Sequence, residues 1–254
     1  MERTDLIYML RGPSDELAMF LTVHQNTLPE IWALKTLSET AGGDMHKDNF
    51  AHTIQVVRQA LERDADDETL LAALFHDIGK PLTRSFSKGK VMFHNHEIEG
   101  IKALKARFRE LGWKIGNIPD IILNSSRMQA YDHSVATDSA VRRMNLEVGD
   151  LWEQSMILAR SDVTSKHQRV HDRVQGSLSA LERRMEEVAV ADAEAAFRPV
   201  LDGHDLMEMG FEPGRELGKV LTWLRWQNLE GHHVTPEAAR EAVAKQFLDS
   251  GTES

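Results

Sequence analysis

The twelve residues Leu70–Pro81, LLAALFHDIGKP, decide the reading of this chain. Leu71, Leu74, Phe75 and Ile78 recur at helical spacing, so the stretch is predicted as a helix. Its first polar interruption is His76-Asp77. Adjacent helical residues differ by about 100° around the axis, so an imidazole and a carboxylate placed this way can converge on one ion. Ala72 and Ala73 lie one turn earlier and leave room beside the pair.

A second segment, DNFAHTIQVVRQAL (Asp48–Leu61), carries Phe50, Ile54, Val57 and Leu61 on one helical stripe. His52 lies off that stripe, where packing does not require it. A third segment, MILARSD (Met156–Asp162), ends an apolar run on Asp162, and a carboxylate there needs a counter-charge or a metal. His52, His76, Asp77 and Asp162 are therefore the candidate ligands. Two imidazoles and two carboxylates suit one divalent ion among Mn, Ni, Co, Fe, Mg and Zn. With no cysteine among the 254 residues, thiolate zinc sites, cysteine nucleophiles and disulfides are excluded.

Outward from these segments the helical period continues. Strand signals are scarce; the only extended candidate is 90–93, so the class is all-α. Breaks are expected at Gly42-Gly43, at 85–90, at 116–119, near 131–133 and at 199–203, and Thr235-Pro236 reads as a helix start. The stretch 166–197 is the longest charged helix candidate, with Arg183 and Glu187 placed for an i,i+4 pair.

The formal charge of −10, from 30 basic and 40 acidic side chains, argues against broad binding along a nucleic-acid backbone. A small nucleotide or a single nucleic-acid end fits better. No apolar run approaches the roughly 20 residues that span a bilayer, so no membrane partner is expected and the expected compartment is the cytoplasm.

In order and context, His52, His76-Asp77 and Asp162 resemble the ligand set of HD-superfamily phosphohydrolases. The similarity is most specific to the HD-containing half of bacterial CCA-adding tRNA nucleotidyltransferases. It runs through TLPEIWAL, HKDNFAHTIQVV, HDIGKP, FHNHEIEG, DSAVRRM and LARSDVTSK to the segment beginning PVLDGHDLMEMG. The resemblance implies an HD helical bundle with additional N-terminal and C-terminal helices. The corresponding segments are 1–44 packed on the core, 45–165 as the HD core, and 166–254 as a tail.

No Gly-Ser motif followed by paired aspartates precedes the HD region, so nucleotide addition is not expected. The resemblance implies instead a metal-dependent hydrolase of a nucleotide or RNA-terminal phosphate, as phosphomonoesterase or 2′,3′-cyclic phosphodiesterase. A di-iron oxygenase and a non-catalytic RNA-binding module are the alternatives.

Asp77, His96 and Lys80 are the candidate catalytic residues. Lys80 could hold a phosphate, and His96 could position it or protonate a leaving oxygen. His94, Arg142 and Arg143 are candidate phosphate contacts, because guanidinium groups bind phosphate in two-pronged fashion. Arg127, in IILNSSRM, is aligned with a position where relatives often place a second-metal histidine; this predicts one metal per chain. His46 matches a family position. His204 and Asp205 are read as a helix start rather than a metal pair.

Overall fold

The structure, a computed structural model, describes residues 1–37, 48–88, 90–132, 136–165, 167–194, 200–230, 232 and 235–248. His46 and Gly42-Gly43 lie outside them. Helix dominates, as the period-3.6 pattern predicts, and among the described residues the strands are limited to one short hairpin. Among the described residues no helix is long and apolar enough to cross a membrane.

Three N-terminal helices, α1 (Arg3–Leu10), α2 (Ser14–Val23) and α3 (Pro29–Ala33), bury Leu6, Leu10, Leu17, Leu21 and Ile31. These side chains share one apolar core with α4 (Asn49–Leu61) and α5 (Asp67–Phe75). Burying each contributes roughly 1.5–3 kcal/mol. Aspartates start both core helices: Asp48 accepts from the Ala51 N–H at 2.9 Å, and Asp66 from Thr69 at 2.7 Å. Each cap satisfies a donor that the first helical turn leaves unpaired.

The structure corrects the stripe expected on α5. Every residue from Thr69 to Phe75 is buried, so this helix has no solvent face. It is the central helix of its unit, packed by α1, α4 and two later helices, α8 (Ile118–Gln129) and α10 (Trp152–Ser161). It also ends at Phe75, before the His-Asp pair. His76 is the cap residue and the chain turns through Gly79 into α6 (Lys80–Thr83).

A hairpin follows, of β1 (Ser85–Ser87) and β2 (Lys90–Met92), antiparallel with Phe86 opposite Val91. The extended piece expected at 90–93 is its second strand. Helix α7 (His96–Glu110) begins directly after it, and Phe108 packs edge-on against Phe75 with ring centroids 5.5 Å apart. Gly116, at φ 54°, turns the chain into α8 (Ile118–Gln129) beside Glu68, where a side chain would strike that carboxylate.

The remaining helices are α9 (Asp138–Val148), α10 (Trp152–Ser161), α11 (Gln168–Glu194), α12 (Gly203–Glu208), α13 (Arg215–Leu229) and α14 (Pro236–Val243). The chain forms two compact units, Met1–Asp132 with Val148–Ala180, and His133–Glu147 with Leu181–Ser254. This division interleaves the segments expected at 1–44, 45–165 and 166–254, because most of α9 belongs to the second unit and the first half of α11 to the first.

The second unit has its own core of Leu201, Leu206, Val220, Leu224, Ala239 and Val243. Asp202 caps α12 by accepting from the His204 and Asp205 N–H groups, which fits the expected helix start. Thr235 caps α14. On α11 the i,i+3 pair Arg184–Glu187 at 2.7 Å replaces the expected Arg183–Glu187 pair, and Arg184 also pairs with Asp138.

Candidate metal centre

Three helices of the first unit bring four side chains to a single point. His52 comes from the first turn of α4, His76 and Asp77 from the turn after α5, and Asp162 from the end of α10. His52, His76 and Asp77 are buried. His52 Nε2 lies 2.9 Å from Asp162 Oδ1 and 3.5 Å from Asp77 Oδ2. His76 Nε2 lies 3.3 Å from each of the same two oxygens. One ligand atom from each of His52, His76 and Asp77 falls within 4.8 Å of the others.

The outer nitrogen of each imidazole is engaged elsewhere. His52 Nδ1 meets the Thr164 hydroxyl at 2.8 Å, and His76 Nδ1 meets the Ala73 carbonyl at 2.9 Å. Such bonds fix the ring and direct Nε2 inward. His76 Nε2 is buried without a hydrogen-bond partner. An orphaned acceptor nitrogen between two carboxylate oxygens fits a divalent cation, and so does a donor set of imidazoles and carboxylates.

The electrostatics point the same way. Burial works against charge on His76, but the adjoining Asp77 and Asp162 prevail, and its pKa is pushed up to about 10. Burial also penalises the Asp77 carboxylate, yet His76, His96 and Lys80 hold it well below the usual carboxylate range. Asp162 is held low as well, against burial and the Asp77 charge, by His76 and His52. Two ionised carboxylates at this depth need positive charge between them, which a proton on His76 or a metal ion supplies.

A pocket of about 150 Å³ opens over this group. His76, Asp77 and Asp162 form its floor; Lys80, His96 and Glu97 stand on one wall, and Ser125, Ser126 and Gln129 of α8 on another. Lys80 donates to Asp77 Oδ2 at 2.8 Å. His96 Nε2 lies 3.5 Å from Asp77 Oδ1 while its Nδ1 meets the Phe93 carbonyl at 2.9 Å. Burial opposes charge on His96, but Asp77 and Glu97 outweigh it and raise its pKa. Gln129 Nε2 donates to Asp162 Oδ2 at 3.0 Å and to the Ala159 carbonyl at 2.9 Å.

His52, His76, Asp77, Asp162, His96 and Lys80 are thus brought together. Other sequence candidates are not. His94 is exposed in the turn before α7 and does not line the pocket. Arg127 corrects the alignment behind it: it lies on the exposed side of α8, while Ser125, Ser126 and Gln129 face the pocket. One residue along a helix turns a side chain through about 100°, enough to exchange wall for surface. Arg142 and Arg143 belong to the second unit, where Arg143 pairs with Glu230 and stacks 5.5 Å from the Trp226 ring.

Sequence reasoning missed Thr164 and Gln129. The available signal was a run of polar residues, Asn124, Ser125 and Gln129, close to the apolar face of a strongly amphipathic helix.

Residues 49–166 match the family model of the HD domain. The chain is 29% identical to an A-adding tRNA nucleotidyltransferase of Deinococcus radiodurans, over 96% of this chain and 57% of that enzyme. It is 31% identical to a CC-adding tRNA nucleotidyltransferase of Thermus thermophilus, over 84% of this chain and 48% of the relative. The chain spans about half the length of these curated relatives. The four candidate ligands all fall inside the matched segment.

Proposed function

We propose that this chain, which carries an HD domain and is homologous over most of its length to tRNA nucleotidyltransferases, is a metal-dependent phosphohydrolase of a nucleotide or RNA-terminal phosphate. The observation that carries the proposal is the convergence of His52 Nε2 and His76 Nε2 on the Asp77 and Asp162 oxygens, at the floor of a pocket that also presents Lys80 and His96. Both relatives are named for work on tRNA, which brings an RNA end into the substrate class.

HD domains bind divalent metals, and His52, His76, Asp77 and Asp162 would hold the ion here. Bound there, it supplies Lewis acidity toward a phosphoryl oxygen and lowers the pKa of a water. The protein's own groups do the rest. The Thr164 hydroxyl lies 2.8 Å from His52 Nδ1; in the tautomer whose Nδ1–H donates to it, Nε2 keeps its lone pair for the ion. Gln129 holds one oxygen of Asp162 and leaves the other facing the histidines. Lys80, on the pocket wall, offers its ammonium to a phosphate oxygen. His96 stands across Asp77 with its Nδ1 tied to Phe93, and its protonated Nε2 donates to the leaving oxygen.

The deciding experiment pairs Mn²⁺, Ni²⁺, Co²⁺, Mg²⁺ and Zn²⁺ with nucleoside 2′-, 3′- and 5′-monophosphates, 2′,3′-cyclic phosphates and triphosphates. Metal-dependent release of phosphate, or opening of the cyclic ester, is expected with ribonucleotide monoesters or cyclic phosphates. A strong preference for deoxynucleoside triphosphates would move the chain to a triphosphohydrolase. No turnover with any metal would remove the catalytic reading.

A further inference from the structure

The pocket is too small for a whole nucleotide. Its volume of about 150 Å³ admits a phosphoryl group and a few waters, against roughly 300–1,000 Å³ for pockets that enclose drug-sized ligands. The nucleoside part of any substrate must therefore rest outside the pocket, on whatever surface adjoins it.

That surface is the β1–β2 hairpin. Its first strand begins five residues after Lys80, and its second ends four residues before His96; both of these line the pocket. The Lys80 ammonium lies 5.8 Å from the ring of Phe93, the residue that follows β2. Phe86 pairs with Val91, two residues before Phe93. Strand geometry therefore puts the Phe86 backbone about 8 Å from that of Phe93. The Phe86 ring is 61% exposed, and the Arg84 guanidinium sits 4.5 Å from its centroid. A ring this exposed adds nothing to the core.

Charge identifies what would cover it. In a chain with ten more acidic than basic residues, the seventeen residues from Lys80 to His96 contain Lys80, Arg84, Lys88 and Lys90 and not one carboxylate. An exposed aromatic ring backed by a guanidinium, on a segment that carries cations and no carboxylate, next to a phosphate-sized pocket, matches a single strand of nucleic acid. Bases stack on the ring and phosphates meet the cations. Resting on the phosphohydrolase reading above, we infer that the hairpin is a stacking platform for the RNA strand whose terminal phosphate enters the pocket, with Phe86 as its stacking residue. The substrate is then an RNA end rather than a free mononucleotide.

The test uses the full chain loaded with Mn²⁺ and a fluorescein-labelled tetraribonucleotide ending in an uncleavable 3′-phosphonate. A matched probe lacks its bases. Anisotropy gives Kd for the unmodified protein and for Phe86→Ala and Phe86→Tyr. Phe86→Ala is expected to raise Kd for the base-bearing probe roughly tenfold, to the value for the abasic probe, and to move the abasic Kd less than about twofold. Phe86→Tyr is expected to restore binding.

An unchanged Kd for the base-bearing probe in Phe86→Ala overturns the platform. So does equal loss for both probes, or a Phe86 dependence found only with anionic phospholipid vesicles. If no nucleotide is hydrolysed but the base-dependent effect persists, the catalytic reading fails and the platform stands.

Discussion

Gly79→Ala should damage the site without touching a ligand. Gly79 has an ordinary φ of −82°, so glycine is required there by space rather than by backbone conformation. A Cβ on Gly79 would stand 1.9 Å from the His96 carbonyl oxygen and 2.5 Å from the Gly100 N, both backbone atoms of α7. Since Cβ contacts below 3.0 Å essentially do not occur, the start of α7 must retreat by about 1 Å. Overpacking of this kind costs roughly 1–3 kcal/mol, which for a chain this long lowers Tm by about 2–10 °C. The same retreat carries His96 away from Asp77, and a 1 Å displacement of a reacting group costs about a hundredfold in rate. The assay is kcat with a short RNA strand ending in a 2′,3′-cyclic phosphate at saturating Mn²⁺, with bound metal and calorimetric Tm measured on the same samples. Metal content should persist, because His52, His76 and Asp162 do not sit on α7. Gly176→Ala is the matched control. An added Cβ there meets nothing within 4 Å in the middle of α11, so it should raise stability by about 0.5–1 kcal/mol. Wild-type kcat and Tm in Gly79→Ala would refute the close-approach argument.

Four further outcomes are expected. His76→Ala and Asp77→Ala should each lower metal-dependent phosphate release at least about a hundredfold while the helical circular dichroism persists; full activity in metal-free Asp77→Ala would exclude the ligand assignment. Thr164→Val removes the acceptor of the His52 Nδ1 proton and should weaken Mn²⁺ binding about 10–100-fold by calorimetry, whereas Thr164→Ser should keep it. Metal analysis after dialysis should find one equivalent per chain, because among the described residues His52, His76 and Asp77 form the only such cluster; two equivalents would contradict this. The last concerns pH. The folded pKa of His76 without metal, about 10, is raised above 6.5, so its proton stabilises the metal-free fold fully below 6.5 and progressively less as pH rises through 10. Mn²⁺ must displace that proton, so the Tm gain on adding Mn²⁺ should grow between about pH 6.5 and 8.5; a flat gain would remove His76 as the competing proton site.

What the sequence reveals here follows physical range. Amphipathic helices such as α4 and α8 announce themselves because one face must be apolar, and His52 stands out on α4 as a polar side chain off its stripe. Helix α5 hides its role for the opposite reason: buried on all sides, it has no polar face to mark an orientation or an end. Arg127 was misplaced by a rotation rather than by chemistry, since α8 turns Ser125, Ser126 and Gln129 inward and leaves the arginine outside. Thr164 acts across 112 residues of chain, a distance over which no local pattern operates, and the polar run that includes Gln129 does not by itself name its partner Asp162, 33 residues on. The interleaved units are the same case, because α9 is assigned by contacts remote in sequence.

The end of α5 joins fold to function most directly. A helix terminus leaves carbonyls without N–H partners, and His76 Nδ1 takes one of them, that of Ala73 three residues back. His96 repeats the arrangement with the Phe93 carbonyl, also three residues back, at the start of α7. In both cases a backbone carbonyl fixes the imidazole and turns Nε2 toward Asp77; that of Phe93 also accepts from the His96 N–H at 3.3 Å. Had α5 continued, the Ala73 carbonyl would be committed to the Asp77 N–H, and the His76 ring would lose the bond that orients it. A helix running on through the pair would also meet Pro81, which has no donor for the carbonyl of Asp77, while Gly79 leaves the space that the α7 backbone occupies. The early stop of the central helix is therefore part of how the site is oriented, and only His52 depends on a partner distant in sequence for its direction.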